Sequence, residues 1–293
     1  MARFLAAAAA AATGVQVGSA MVATRFVVDQ TGPISLALLR YVIGFCCLLP
    51  VVWLSAGPVR FARRDVLPIA LLGITQFGIL IALLNYGLRF IPSARAALIF
   101  ATFPLLTMVL AAALGHERLT LPKIVGVLLT IAGVGVALGE KAFQGGQAQE
   151  WVGELAVFAS ALSGAVCSVL YRPYLRKYPA LPVSAFAMLA SVGFLAILAA
   201  GEGFFVSLPH FTPGGWLAIV FIGLSSGVGY YLWLWALGHA PATQVTVFLA
   251  LSPVTAAALG ALFLGEAISG VSVVGLACVA LGLWLAHWRA LAP

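Results

Sequence analysis

Residues 103–117 (FPLLTMVLAAALGHE) and residues 252–266 (SPVTAAALGALFLGE) share a proline near the start and a glutamate at the end. Both residues recur at the same separation of 149 positions, as Pro104 with Pro253 and as Glu117 with Glu266. A proline in a helix interior removes a backbone donor and costs about 3 kcal/mol. Two equally placed prolines therefore indicate a feature that the fold uses, and they predict an internal duplication.

The duplication extends beyond these two stretches. The same separation relates Pro33 to Pro182 and Pro92 to Pro241. Apolar identities carry little weight in a chain rich in alanine, leucine and glycine, whereas matched prolines and a matched glutamate carry more. We predict a first repeat over residues 1–140, a linker over residues 141–151 and a second repeat over residues 152–293.

The composition indicates a polytopic membrane protein. The chain is 63% hydrophobic and 8% charged, with a mean hydropathy of +1.13, whereas soluble domains carry about 25% charged residues. The net charge of +7 comes from short basic clusters between apolar runs, and this predicts no nucleic-acid partner. The four cysteines all lie in apolar runs without a histidine at metal-ligand spacing. We therefore expect no metal and no cofactor.

A spanning helix needs about 20 mostly apolar residues. The first run resembles a signal peptide at Arg3 and the alanines that follow, but it continues through Val28 and is long enough to span. The sequence predicts an all-α integral membrane protein with ten transmembrane helices, at residues 4–27, 33–54, 67–89, 92–114, 120–139, 152–171, 183–201, 214–237, 241–264 and 268–288.

Five spans per repeat place the second repeat in the membrane upside down relative to the first. Inverted repeats are typical of secondary transporters, whose binding sites lie near the midplane between the repeats. Pro104 and Pro253 then fall in equivalent helices, and we expect them to act as hinges for alternating access. A static kink that improves packing is the alternative. Glu117 and Glu266 are expected to have a structural role, as caps or partners at the start of the following helix.

Lysine and arginine favour one side of the predicted membrane domain. That side carries the arginines at 60, 63 and 64 and the basic cluster Arg172, Arg176 and Lys177, while the basic residues of the other side are diluted by acidic ones. Basic loops are retained in the cytoplasm. We predict a multi-pass protein of the bacterial plasma membrane with both termini cytoplasmic.

Ten spans in two inverted repeats, with the proline pattern of the fourth helix and a terminal GHE or LGE, resemble the drug/metabolite transporter superfamily and its EamA-type domains. The second-span segment LLRYVIGF, which contains Arg40, resembles that family's helix-2 arginine motif. The resemblance covers nearly the whole chain and is greatest to the YddG-type aromatic amino-acid exporters. It implies a transporter of small molecules, and it implies a structural role for Arg40.

Uncharged polar and aromatic residues mark the predicted cavity. Amide and hydroxyl groups can hold the ammonium and carboxylate of a zwitterion, and aromatic rings can cover its side chain. Hydrogen bonds to neighbouring helices are the alternative role for any single residue. The predicted cavity residues are Thr13, Gln16, Gln76, Asn85, Tyr86, Ser163, Tyr171, Ser226, Tyr230, Trp233 and Gln244.

No aspartate or glutamate lies deep in any predicted span, which favours facilitated export over proton coupling through a carboxylate. We expect a carrier of neutral or aromatic amino acids and related metabolites that is in contact with lipid. The sequence does not define its oligomeric state. A carrier of organic cations, such as methyl viologen-like drugs, is the alternative within the same class. An intramembrane enzyme would need a catalytic cluster at membrane depth, and the sequence offers none.

Overall fold

The computed structural model describes residues 2–55, 60–115, 148–206, 209–266 and 270–287, together with scattered positions between 121 and 136. Regular structure in these residues is entirely helical. The first half contains α1 (Ala2–Val27), α2 (Pro33–Ser55), α3 (Arg63–Gly73), α4 (Leu80–Leu88), α5 (Ser93–Phe100) and α6 (Phe103–Ala113). The second half contains α7 (Ala148–Leu170), α8 (Arg172–Lys177), α9 (Ala180–Gly201), α10 (Pro213–His239), α11 (Ala242–Thr246), α12 (Leu251–Leu264) and α13 (Gly270–His287).

Eight stretches of the described chain are long and apolar enough to cross a membrane. They correspond to the predicted spans one to four and six to nine. Most of the fifth predicted span, residues 120–139, lies outside the described residues. At the tenth, α13 contains a shorter apolar segment, Val273–Gly282. The total of ten helices and the inverted repeat thus remain predictions.

The third span begins at Arg63, four residues before the predicted start. The charges of Arg63, Arg64 and Asp65 mark where the apolar segment begins, but they do not prevent the helix from starting earlier. A helix can extend beyond the hydrocarbon region because its backbone groups are already hydrogen-bonded. Similarly, α7 and α10 begin ahead of the predicted residues 152 and 214.

Three spans are interrupted inside the bundle. Between α3 and α4 the chain forms a π-helix over Ile74–Ile79, and such segments often occur at functional sites. The fourth span breaks between Phe100 and Phe103, where α5 ends and α6 begins. The ninth contains a 3-10 segment, Val247–Ala250, between α11 and α12.

The prolines at 104 and 253 follow the breaks in the fourth and ninth spans. Pro104 lies in the first turn of α6 and Pro253 in the first turn of α12. The first N–H groups of a helix have no partner within the helix, so a proline there deletes no hydrogen bond. The chain thereby avoids most of the cost of an interior proline.

The two halves interlock. Helix α1 packs against α10 and α12, α2 packs against α9 and α10, and α4 packs against α7. Small residues allow the closest approaches, as is usual between membrane helices. A Cβ added at Gly14 of α1 would lie 2.1 Å from the carbonyl oxygen of Phe248, and one added at Gly73 would lie 2.3 Å from that of Ala187.

Candidate functional site

A cavity lies where α1, α2, the π-helix, α4, α10 and the break between α5 and α6 converge. The space between its walls, counted together with the open solvent at its mouth, is about 490 Å³. Its wall has both polar and apolar parts. The polar and amphipathic lining residues are Thr13, Gln16, Arg40, Gln76, Tyr230 and Trp233, and the larger apolar ones are Met21, Leu80, Ile81, Leu84, Phe100, Phe103 and Leu249.

Hydrogen bonds fix the polar residues of α1 and α10. The hydroxyl of Thr13 donates to the carbonyl of Ala9 at 2.9 Å and lies 3.4 Å from that of Gly229. Gln16 Nε2 donates to Ser225 Oγ at 3.3 Å. These two residues therefore join α1 to α10 as well as lining the cavity.

Arg40 is a cation in the cavity wall. Its side chain is buried, at 4% exposure, and its Nε donates to Ser226 Oγ at 2.6 Å. Within the described chain Arg40 makes no ion pair, whereas Arg95 pairs with Glu150 at 2.8 Å and with Glu154 at 3.0 Å. Buried charges are normally paired, so the guanidinium of Arg40 is a site at which an anionic group would be stabilised.

Two further polar groups of the wall are buried and have no hydrogen-bond partner among the described residues. They are Oε1 of Gln76 and Nε1 of Trp233, on side chains that are each 3% exposed. Gln76 belongs to the π-helix. An unsatisfied buried donor or acceptor costs about 1–3 kcal/mol. The cavity therefore offers an acceptor, a neutral donor and a cation to a ligand.

Aromatic rings form part of the apolar wall. The rings of Phe103 and Trp233 meet edge to face at 5.9 Å, and Phe100 lies 5.4 Å from Phe103. On the other side, Tyr230 packs edge to face on Phe77 at 4.5 Å, and its hydroxyl accepts from the hydroxyl of Tyr41 at 3.0 Å. This wall can cover an aromatic or aliphatic group.

Five of the predicted cavity residues line this space together, namely Thr13, Gln16, Gln76, Tyr230 and Trp233. Ser226 lies behind the wall as the partner of Arg40. Ser163 donates to the carbonyl of Ala159 in its own helix.

The other predicted cavity residues lie apart from the lining. Asn85 is fully buried and donates to the carbonyl of Pro33 at 2.9 Å, joining α4 to α2. Tyr171 is fully buried, and no described residue forms a hydrogen bond with its hydroxyl. Tyr86 is 37% exposed and packs on Phe90, and the half-buried Gln244 lies on α11.

Several lining residues were not predicted. Arg40 was expected to have a structural role, and the structure places it in the lining of the cavity. Phe100, Phe103 and Leu249 could not be singled out from the sequence, because they lie in apolar runs in which neighbouring residues have similar hydrophobicity. They line the cavity because the helix breaks at the fourth and ninth spans turn them inward.

Glu266 has a capping contact that the sequence did not predict. Its carboxylate lies at the start of α5, where it accepts from Ser93 N at 3.0 Å and from Ser93 Oγ at 2.6 Å, whereas residues 267–269, which precede α13, lie outside the described residues. Glu202 caps α2 in the same manner, through Ser35 N at 2.8 Å and Ser35 Oγ at 2.7 Å. Glu117 lies outside the described residues.

The EamA-like transporter family model matches residues 4–139 and, a second time, residues 151–288. A probable terminal-alkyne amino-acid exporter of Streptantibioticus cattleyicolor is 31% identical over 278 residues, covering 93% of this chain and 90% of that protein. An uncharacterized transporter of Archaeoglobus fulgidus is 27% identical, covering 92% of this chain and 93% of that protein. One crystal structure superposes with a TM-score of 0.74 at 23% identity, over 98% of this chain and 99% of that chain, which shows a shared fold.

Proposed function

The chain belongs to the EamA-like transporter family, and we propose that it exports neutral or aromatic amino acids and related small metabolites. Membership of this family makes it a transporter, and the apolar spans and the names of the relatives support a multi-pass membrane protein and not an enzyme. The substrate class, the direction of transport and the mechanism are the parts that we propose.

One observation carries the choice of substrate. The cavity combines a buried cation, an acceptor that has no partner among the described residues, and an aromatic wall. A zwitterion with an apolar side chain presents matching groups of each kind. The similarity to a probable terminal-alkyne amino-acid exporter supports the same class. A cation in the wall disfavours the binding of organic cations that lack a carboxylate. Phosphate esters usually need several basic residues, and Arg40 is the one arginine in the described lining.

The transport cycle that we propose is alternating access between two inverted five-helix repeats, with both termini in the cytoplasm of a bacterial cell. The two matches to one family model support the repeat. The breaks before Pro104 and Pro253 support hinges at equivalent places. Since the sequence places no carboxylate deep in a predicted span, we propose facilitated transport rather than proton coupling through a carboxylate.

Counterflow in liposomes that contain only the purified protein tests this function. Vesicles are loaded with unlabelled phenylalanine, and the entry of labelled phenylalanine, threonine or methyl viologen is followed with and without a pH gradient. We expect exchange of the amino acids at a rate that does not depend on the gradient. Entry of methyl viologen alone would overturn the substrate class, and entry that requires the gradient would overturn facilitated transport.

A further inference from the structure

We propose that Arg40 binds the carboxylate of the transported amino acid and that Gln76 accepts from its ammonium group. The side chain of the solute then lies along Phe100 and Phe103. The inference rests on the proposed function, and it names the residues that orient the solute and select for a zwitterion.

The first step is the charge of Arg40, whose guanidinium carbon lies 5.8 Å from the centre of the Tyr41 ring but faces no carboxylate among the described residues. The residue is buried in the cavity wall and makes no ion pair within the described chain. Ser226 occupies only its Nε, and no described group accepts from its two terminal nitrogens. Those nitrogens form the fork that binds a carboxylate through two parallel hydrogen bonds. Ser226 fixes the side chain so that this fork is held in place for the ligand.

The second step is the acceptor on the π-helix. Gln76 Oε1 is buried and unpartnered, on a side chain that is 3% exposed and lines the same cavity. Buried polar groups are nearly always hydrogen-bonded in a working state of a protein. An acceptor at this place suits an ammonium group. Gln76 belongs to the π-helix, a kind of segment that often occurs at functional sites.

The third step is the position of the apolar wall. Phe100 and Phe103 lie together at 5.4 Å, and Trp233 meets Phe103 at 5.9 Å. The indole Nε1 of Trp233 is also buried without a partner, so the ring offers a neutral donor beside an apolar surface. A solute with its two charges on Arg40 and Gln76 would rest its side chain on this surface.

Three probes separate these contacts. L-Phenylalanine carries both charged groups, phenethylamine lacks the carboxylate, and 3-phenylpropionate lacks the ammonium. Their affinities for the purified full-length protein are measured by isothermal titration calorimetry. We expect the wild type to prefer phenylalanine over both analogues. We expect Arg40→Gln to weaken phenylalanine binding by about 10- to 100-fold and to remove its advantage over phenethylamine, while Gln76→Leu removes its advantage over 3-phenylpropionate.

Controls separate binding from folding. Arg25→Gln changes the net charge by the same amount at the end of α1, where Arg25 pairs with Asp29 at 3.3 Å, and its affinities should equal those of the wild type. A structural role of Arg40 would lower the affinities for all three probes in parallel, and that result would overturn the proposal. If Arg40→Gln does not fold, Arg40→Lys and Gln76→Leu decide the question, because each should change the ranking of the probes.

The proposed function and this inference can fail separately. A wild-type protein that ranks the probes as expected but exchanges no amino acid in liposomes contradicts the export function and leaves the binding mode intact. A protein that exchanges phenylalanine but binds phenethylamine equally well contradicts the role of Arg40 and leaves the function intact. A wild-type protein that binds none of the three probes overturns both.

Discussion

Glu266 and Ser93 are joined by two hydrogen bonds across 173 residues of chain, one to the main-chain N–H of Ser93 at 3.0 Å and one to its hydroxyl at 2.6 Å. The carboxylate thus lies at the N-terminus of α5, where the helix dipole favours a negative charge. Ser93 is fully buried, so water cannot replace the contact. The pair ties the end of α12 to the fourth span and thereby connects the two halves of the protein.

Glu266→Ala should lower stability because it leaves the first N–H groups of α5 and the hydroxyl of Ser93 without their acceptor. The loss of a helix cap costs about 1 kcal/mol, in a range of 0.5–2. Thermal unfolding of the detergent-purified protein measures the effect. Asp29→Asn, which affects only the exposed pair with Arg25, should change the midpoint much less. Equal shifts for both variants would contradict the cap.

The repeat predicts that Glu117 has the same role as Glu266. The separation of 149 residues that relates the two glutamates also relates Ser93 to Ala242, the first residue of α11. We expect Glu117→Ala to lower the unfolding midpoint about as much as Glu266→Ala does. A neutral Glu117→Ala variant would show that the two glutamates are not equivalent.

Gly14→Ala should be strongly destabilising because the new Cβ would lie 2.1 Å from the carbonyl oxygen of Phe248. Either α1 or the 3-10 segment must move, and overpacking of this kind costs about 1–3 kcal/mol. Gly193→Ala in α9 is the matched control, since nothing lies within 4 Å of a Cβ there. That control should be neutral or slightly stabilising, because alanine favours helix over glycine. Unfolding midpoints that move together would refute this packing argument.

Pro104→Ala and Pro253→Ala should slow exchange in liposomes while changing stability little. Alanine restores a backbone donor, so the broken fourth or ninth span can extend as a continuous helix and bend less easily. We expect a several-fold lower exchange rate with an unfolding midpoint near that of the wild type. Pro50→Ala, in the exposed part of α2, is the control and should exchange normally. Normal exchange in all three variants would favour the static kink.

Tyr178→Phe should lower the thermal unfolding midpoint by a few degrees, because Tyr178 links the start of α3 to the end of α8. Its hydroxyl donates to Asp65 Oδ2 at 2.6 Å and accepts from Ala62 N at 3.0 Å, and Lys177 pairs with the same carboxylate. The change therefore removes two hydrogen bonds that hold the start of α3 to α8. Tyr174→Phe, on the same short helix, is the control. A shift of equal size in the control would argue against a specific link.

The sequence by itself determined the class of the protein and the placement of its apolar segments. Charge is so sparse, and apolar runs are so long, that only a membrane environment suits the chain, and a bilayer requires every spanning segment to satisfy its own backbone. The sequence also singled out the prolines at 104 and 253, because a proline inside a spanning helix normally costs a backbone hydrogen bond and therefore marks an irregularity in the helix. These features follow from the chain alone, without reference to neighbouring helices.

Only the tertiary structure decided which side chains share the cavity. A period of 3.6 residues groups residues on one face of a helix, but it does not say which neighbour that face meets. Gln76 in the π-helix Ile74–Ile79 lines the cavity, whereas its neighbour Thr75 donates to the carbonyl of Leu71. The contact of Arg40 with Ser226 and that of Glu266 with Ser93 join residues 186 and 173 positions apart. Such contacts depend on how the helices are rotated and paired, and no local pattern in the sequence specifies that.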